Sequence, residues 1–253
     1  MRAIILFFTV LTSYFSTHAQ DIELDHTAPK IVVNGSSNKI VEFGSFGQNG
    51  NEINLYSLGG TKSAVLSAGD GQNTTGILKL TNQNGSETIR LFGNYGQSSK
   101  GRVVTSELEI TGGSDLAEHF DITTMTEEEV LPGHLVSLDE NESGKLILTN
   151  KKYDKNIVGI VSGANGVGTG MIMRQRESIA DGDYPVALVG RTYVRANTEN
   201  GNIQIGDLLT SSSTEGEVMK VKKHRKAYGA IVGKAMSALT DEKGYVLVLI
   251  NLN

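Results

Sequence analysis

The chain has 253 residues, a formal net charge of −5 and no cysteine. A mildly acidic chain without a basic stripe argues against nucleic acid and anionic membranes as partners. Because there is no cysteine, neither a disulfide framework nor a thiolate metal site exists, and a buried core or association between chains must stabilise the fold.

The N-terminus has the three-part layout of a secretory signal peptide. Arg2 gives a positive start, an apolar run follows at 3–11, and Ala19 is a small residue before a cut at Gln20. The apolar run is too short to cross a bilayer of about 30 Å as a helix. We therefore expect 1–19 to be removed and the mature chain, which has no membrane span, to be extracellular or on the cell surface, with the periplasm as an alternative.

The next part of the chain is repetitive. Residues 20–30 are polar and are expected to be flexible, whereas 31–106 contains a periodic pattern. Gly-Gln pairs recur at 47–48, 71–72 and 96–97, at spacings of 24 and 25 residues, and an apolar alternation follows each pair. A period in this range is typical of repeat architectures, and each repeat is predicted to hold two short strands joined by Gly/Asn turns.

Such repeats need additional packing to be stable. A lone two-stranded unit is marginal in water, and a one-chain solenoid of three such units has a thin core and open ends. Three chains wound together bury each face and satisfy the strand edges. The sequence therefore favours a homotrimeric, β-helix-like stalk at 31–106 over a monomeric solenoid.

The remainder, 107–253, has more charge and clearer core strands. Many short strands at spacings near ten residues indicate a sandwich or a barrel. The predicted strands are 134–138, 145–148, 157–161, 186–189, 192–194, 208–210, 218–221, 230–232 and 245–249. The predicted fold class is thus all-β, a short repetitive stalk followed by a β-sandwich or barrel-type C-terminal head.

Several blocks of the head resemble a known domain. They are TGGSDLAEHF at 111–120, PGHLVSLD at 132–139 and YDKNIVGIVSG at 153–163, followed by DYPVALVGR, GDLLTSS and IVGKA. Together they resemble a C-terminal β domain of bacterial and phage fibre-like proteins. The first three are more distantly similar to the self-cleaving intramolecular chaperone domain of phage neck-appendage and tail-spike proteins. That resemblance implies a head that helps three chains fold and is then cut off.

Self-cleavage requires a nucleophile beside the scissile bond and a group that moves its proton. Ser114 and Asp115 lie at the predicted junction of stalk and head, and Glu118 or His119 is the candidate base. The alternative interpretation is structural: Ser114 ends a turn and Asp115 caps the next segment. The carboxylates and the histidine could attract a cation, but their spacing matches no calcium loop, so we predict no metal and no cofactor.

A second group of candidate residues is the basic run at 220–226, where Lys222, Lys223 and Arg225 are the candidate ligand-binding side chains. Such a run fits an anionic surface polysaccharide or another host or cell-surface ligand, and it also fits a solvated hairpin tip.

Three functional hypotheses follow. The first is a secreted or cell-surface structural or adhesive fibre whose head organises trimers or forms the tip. The second is an autoprotease that cuts near Ser114, which is the one enzymatic activity considered. The third is a carbohydrate-binding module, against which the absence of Trp and the aromatic share of 6% argue.

Overall fold

In the computed structural model, the chain divides into two units, Met1–Leu108 and Glu109–Asn253. The structure describes residues 21–25, 30–45, 51–69, 75–95, 100–124 and 129–252. The predicted signal peptide at 1–19 and the three Gly-Gln pairs lie outside the described residues.

The described part of the first unit is one antiparallel sheet of eight strands, in which each strand pairs with the next along the chain. The strands are β1 (Asp21–Asp25), β2 (Lys30–Asn34), β3 (Lys39–Ser45), β4 (Asn51–Tyr56), β5 (Lys62–Gly69), β6 (Thr75–Thr81), β7 (Glu87–Asn94) and β8 (Arg102–Thr105). Part of the segment predicted to be flexible thus forms β1, which pairs with β2 from Asp21 opposite Asn34 to Asp25 opposite Lys30.

Short turns explain why the repeats form a meander. Gly60 and Gly85 both have φ of +80°, and their N–H groups donate to the carbonyls of Ser57 and Asn82 at 2.9 and 3.0 Å. Glycine adopts this left-handed conformation without steric cost, so each turn returns the chain directly beside the preceding strand. The β-helix-like part of the prediction is not confirmed.

The described part of the second unit is also β-rich, with one short helix, α1 (His224–Ala227), and a 3-10 turn at Ala164–Gly166. Its strands are β9 (Asp115–Phe120), β10 (Ile122–Thr123), β11 (Leu135–Leu138), β12 (Leu146–Leu148), β13 (Ile157–Val161), β14 (Met171–Met173), β15 (Tyr184–Asn197), β16 (Leu208–Ser211), β17 (Val218–Lys220), β18 (Gly233–Ala235) and β19 (Lys243–Ile250).

Five of these strands close into a barrel in the order β15, β17, β16, β18, β19 and back to β15. Inward-facing side chains fill its interior, as expected for a barrel of this size. The fully buried members of this core include Val194, Leu209, Val218, Val246 and Val248. The prediction of an all-β chain is confirmed, and of the two head types proposed, the barrel is present.

The strands β10, β12, β11 and β13 continue the sheet beside the barrel and cover a second core. Val136, Leu148 and Val186 are completely buried in it. β15 contributes to both cores, because its first half pairs with β9 and β13 and its second half with β19.

Two predicted strands, 186–189 and 192–194, are one continuous strand, β15. Gly190 lies between them with φ of +108°, and a register shift between Ala187 and Val189 marks an irregularity in the pairing with β9. The backbone bends there instead of turning back. The strand predicted at 230–232 lies at Gly233–Ala235 instead.

Candidate functional site

One face of the first unit's sheet is made of apolar side chains. Strand pairing aligns two rows across β2 to β8. The first row is Ile31, Phe43, Ile53, Leu66, Leu78, Leu91 and Val103. The second row is Val33, Val41, Leu55, Ala64, Leu80, Ile89 and Thr105. Because alternate residues of a strand point to the same side, these two rows form one surface, which we call the apolar face.

The apolar face is open in the single chain. Leu66 is 52% exposed, Leu55 45% and Ile31 43%, and a depression of about 600 Å³ lies beside Phe43 and Ile53. The two rows cross seven strands about 4.8 Å apart and span about three residues of about 3.4 Å along each strand, so the face covers roughly 350 Å². That area lies within the range of the largest apolar patch on a typical monomer, which is often functional, and is a little under half of the roughly 800 Å² per partner of a standard protein interface.

The opposite face of the same sheet is mixed: it holds the buried side chains of Val32, Val65, Ile77 and Phe92 together with charged groups that pair with one another. Lys39 donates to Glu42 at 2.9 Å, and the Tyr56 hydroxyl donates to the same carboxylate at 2.6 Å. Burial, followed by the hydrogen bond and the charge of Glu42, raises the pKa of Tyr56 well above its ordinary value of 10.0. Glu87 is paired with both Lys79 and Arg90. The charged groups of the sheet are thus concentrated on this side, whereas the apolar face carries none in its two rows.

The four candidate residues for cleavage all lie in or beside β9. Asp115 and Ala117 are buried and Ser114 is exposed, so the alternation of the strand directs Asp115 and His119 to one side and Ser114 and Glu118 to the other. The structure does not bring the four side chains together.

Asp115 is a buried anchor. Its carboxylate accepts hydrogen bonds from the Ser162 hydroxyl and from the Gly170 N–H, the latter at 2.7 Å, and both Asp115 and Ser162 are almost completely buried. These bonds fix the end of the glycine-rich loop after β13 against β9. The sequence offered no signal for Ser162, because it lies 47 residues from Asp115 along the chain.

Ser114 is held by a neighbouring strand. Its hydroxyl accepts a hydrogen bond from the Arg191 guanidinium at 3.0 Å, and its carbonyl accepts one from the Arg191 N–H at 2.9 Å. The His119 Nδ1 lies 3.1 Å from the Gly182 carbonyl oxygen. Among the described residues, no group of three or more His, Asp or Glu side chains is placed to hold a metal ion.

The basic run forms a fixed, exposed loop, which we call the basic loop and define as Lys222–Lys226. All five side chains are exposed, and Lys223 precedes the first residue of α1. The Tyr153 hydroxyl oxygen accepts the N–H groups of Lys222 and Lys223 at 3.1 and 3.0 Å. The amide of Asn200 donates both to this oxygen and to the Lys220 carbonyl, at 3.2 and 3.0 Å.

These contacts change the acidity of the phenol. Burial alone would raise the pKa of Tyr153, but the hydrogen bonds from Lys222, Lys223 and Asn200 outweigh burial, and the pKa lies below its ordinary value of 10.0. No local pattern in the sequence singles out Tyr153 as a support of the basic loop. Tyr153 also has φ of +56°, an unusual conformation for an aromatic residue.

No protein-family model, no curated protein and no solved structure matches the chain. In the part of the chain that the structure describes, no helix combines the length and apolar character needed to cross a membrane.

Proposed function

We propose that the protein is a secreted or cell-surface structural and adhesive protein that associates into a homotrimer through the apolar face of its first unit. The observation that carries this proposal is the pair of apolar rows from Ile31 to Val103 and from Val33 to Ile89. A continuous exposed apolar patch of several hundred Å² is often a functional surface, and an interface between copies would bury it.

A second copy of the same chain fits this face best. The sheet of each copy presents the same two rows. When copies associate, apolar surface packs against apolar surface, and no charged side chain of the two rows is left unpaired. The ion pairs of Glu42 and Glu87 lie on the other face and are formed within the single chain, so this packing leaves them intact. The number three rests on the resemblance of the second unit to the trimer-forming domain of fibre-like proteins, in which the head organises the trimer or forms the tip.

The test is a charged substitution on the apolar face. Leu66→Asp places a carboxylate where neighbouring copies pack, and burying it would cost several kcal/mol without a partner. We expect the mass measured by light scattering to fall to that of one chain. Because Leu66 is already half-exposed in the single chain, the far-ultraviolet circular dichroism should remain that of a folded β protein.

Leu58→Asp is the matched control. Leu58 is fully exposed in the turn between β4 and β5, away from the two rows, so this variant should keep the mass of the parent. If the Leu66 variant stays associated, the apolar face is not the contact between copies.

A second candidate function is self-cleavage near Ser114. The observation that favours it is the exposed Ser114 hydroxyl, which Arg191 holds beside the bond that joins Ser114 to Asp115. A denaturing gel of the purified mature protein tests it. Two bands that merge into one in Ser114→Ala would support cleavage, and a single full-length band in both would exclude it.

A further inference from the structure

The basic loop is an uncompensated positive surface on a negatively charged chain. It carries five consecutive basic residues, whereas the chain as a whole has a net charge of −5. None of the five side chains forms an ion pair with a carboxylate among the described residues, although other lysines of the second unit do, for example Lys145 with Asp121 and Lys243 with Glu217. The four adjacent lysine and arginine cations repel one another, and an external anion would relieve that repulsion.

The loop is held in one conformation from both ends. Tyr153 and Asn200 fix the backbone at Lys222 and Lys223, and Ala227 and Ala230 are buried on its C-terminal side. A preformed array of charges loses little conformational entropy when a ligand binds, so its charges are available for binding.

An aromatic ring stands directly after the loop. Tyr228 follows α1 and is 84% exposed, far more than an amphipathic aromatic ring normally is when it only covers a core. An exposed ring offers an apolar face against which the C–H face of a sugar ring packs.

We propose that the basic loop and Tyr228 bind an acidic polysaccharide, with Lys222, Lys223 and Arg225 pairing with successive carboxylates and the Tyr228 ring packing on one sugar. Arginine and lysine bind carboxylates through charge-assisted hydrogen bonds. Single-stranded nucleic acid is less suited, because its binding sites combine a long positive groove with several stacking aromatic rings, and here the charges are confined to one loop with one ring. This inference deepens the adhesive role proposed above by naming the ligand class.

Affinity electrophoresis of the full mature chain in native gels tests this inference. The probes are polygalacturonate, neutral dextran and single-stranded DNA. We expect retardation by polygalacturonate and none by dextran. Substituting Lys222→Gln, Lys223→Gln and Arg225→Gln together should weaken retardation about tenfold or more and flatten its dependence on salt, since fewer counterions are then released.

Tyr228→Ser should weaken retardation at every salt concentration while leaving the salt dependence unchanged, because no charge is lost. The control carries the same change of net charge elsewhere on the second unit, at exposed positions: Lys155→Gln, Arg176→Gln and Lys234→Gln. It should bind like the parent.

Three results would overturn the inference: no retardation by polygalacturonate, an equal loss in the control variant, or stronger retardation by DNA. Light scattering on the same samples separates this inference from the proposed trimer. A chain that binds polygalacturonate as a monomer would refute the trimer and support binding by the basic loop. A trimer that does not bind polygalacturonate would support the trimer and refute binding by the basic loop.

Discussion

At the scale of single residues, Asp115 illustrates how a buried carboxylate fixes the start of the second unit. It accepts hydrogen bonds from Ser162 and Gly170 on the neighbouring segment. Buried polar groups are costly only when they lose their partners. If Asp115 is structural, replacing it should lower the stability of the second unit, whereas replacing the neighbouring Ser114 should leave that stability nearly unchanged.

Asp115→Ala should destabilise the second unit by about 3 kcal/mol, because the Ser162 hydroxyl and the Gly170 N–H would both be left buried without an acceptor. Denaturant unfolding measures this loss. Ser114→Ala, at the exposed position directly before the same strand, should change stability by less than about 0.5 kcal/mol. If the two variants unfold at the same denaturant concentration, the buried network does not anchor β9.

Tyr153 provides a residue-scale prediction that depends on pH. Its pKa is lowered in the folded chain, so the ionised phenol favours the folded state. That stabilisation is fully present above the unfolded pKa of about 10 and is lost as the pH falls through the lower folded pKa. The stability advantage of the parent over Tyr153→Phe should thus grow as the pH rises toward 10.

Absorbance titration of tyrosinate provides a direct measurement. The chain has 8 tyrosines, and we assign the first ionisation step of the titration to Tyr153. This step should be absent from Tyr153→Phe and present in Tyr228→Phe, which alters an exposed ring instead. Persistence of that first step in Tyr153→Phe would contradict the assignment. Tyr56, whose pKa is raised, should not contribute to the early step.

At the scale of elements, the bend in β15 depends on Gly190. A Cβ at this position would overlap the Ser114 carbonyl oxygen and crowd the Asp115 Cα, and φ is +108°. Gly190→Ala should therefore cost about 2–4 kcal/mol, from left-handed strain and from steric overlap together. Gly112→Ala, where an added Cβ meets nothing, is the matched control, and equal thermal stability of the two variants would contradict this account.

Alternation along the strands made much of each element predictable from the sequence. The strands at Leu135–Leu138, Leu146–Leu148, Ile157–Val161 and Leu208–Ser211 lie within one residue of their predicted positions, because each is a short run rich in apolar residues with turn residues beside it. Gly190 is the exception, where the sequence predicts two strands and the structure has one. A glycine that permits a bend within a strand cannot be distinguished in the sequence from a glycine that ends a strand.

Contacts between distant segments explain what the sequence could not predict about the candidate site. The Asp115 and Ser162 pair spans 47 residues, and the contact between Tyr153 and Lys222 spans 69. No local pattern encodes such pairs. The basic loop was visible as a charge run, but its support by Tyr153 depends on tertiary structure. The apolar face likewise depends on the register of successive strands, which places alternating residues in two rows.

At the scale of the whole molecule, the apolar face links fold to function. An exposed apolar sheet face is stabilised when a second layer covers it, and the described strands of the first unit form a single sheet. In the proposed trimer, association of copies would provide that layer and would bring several basic loops into one particle. Several weak contacts to an acidic polymer would then act together and raise the overall affinity well above that of one loop.

The solution mass of the chain beginning at Gln20, measured by multi-angle light scattering, shows whether copies associate through the apolar face. We expect three times the mass of one chain, maintained on dilution into the micromolar range and reduced to one chain by Leu66→Asp. A parent protein that scatters as one chain would contradict the claim, because the apolar face would then be exposed to water in the native state.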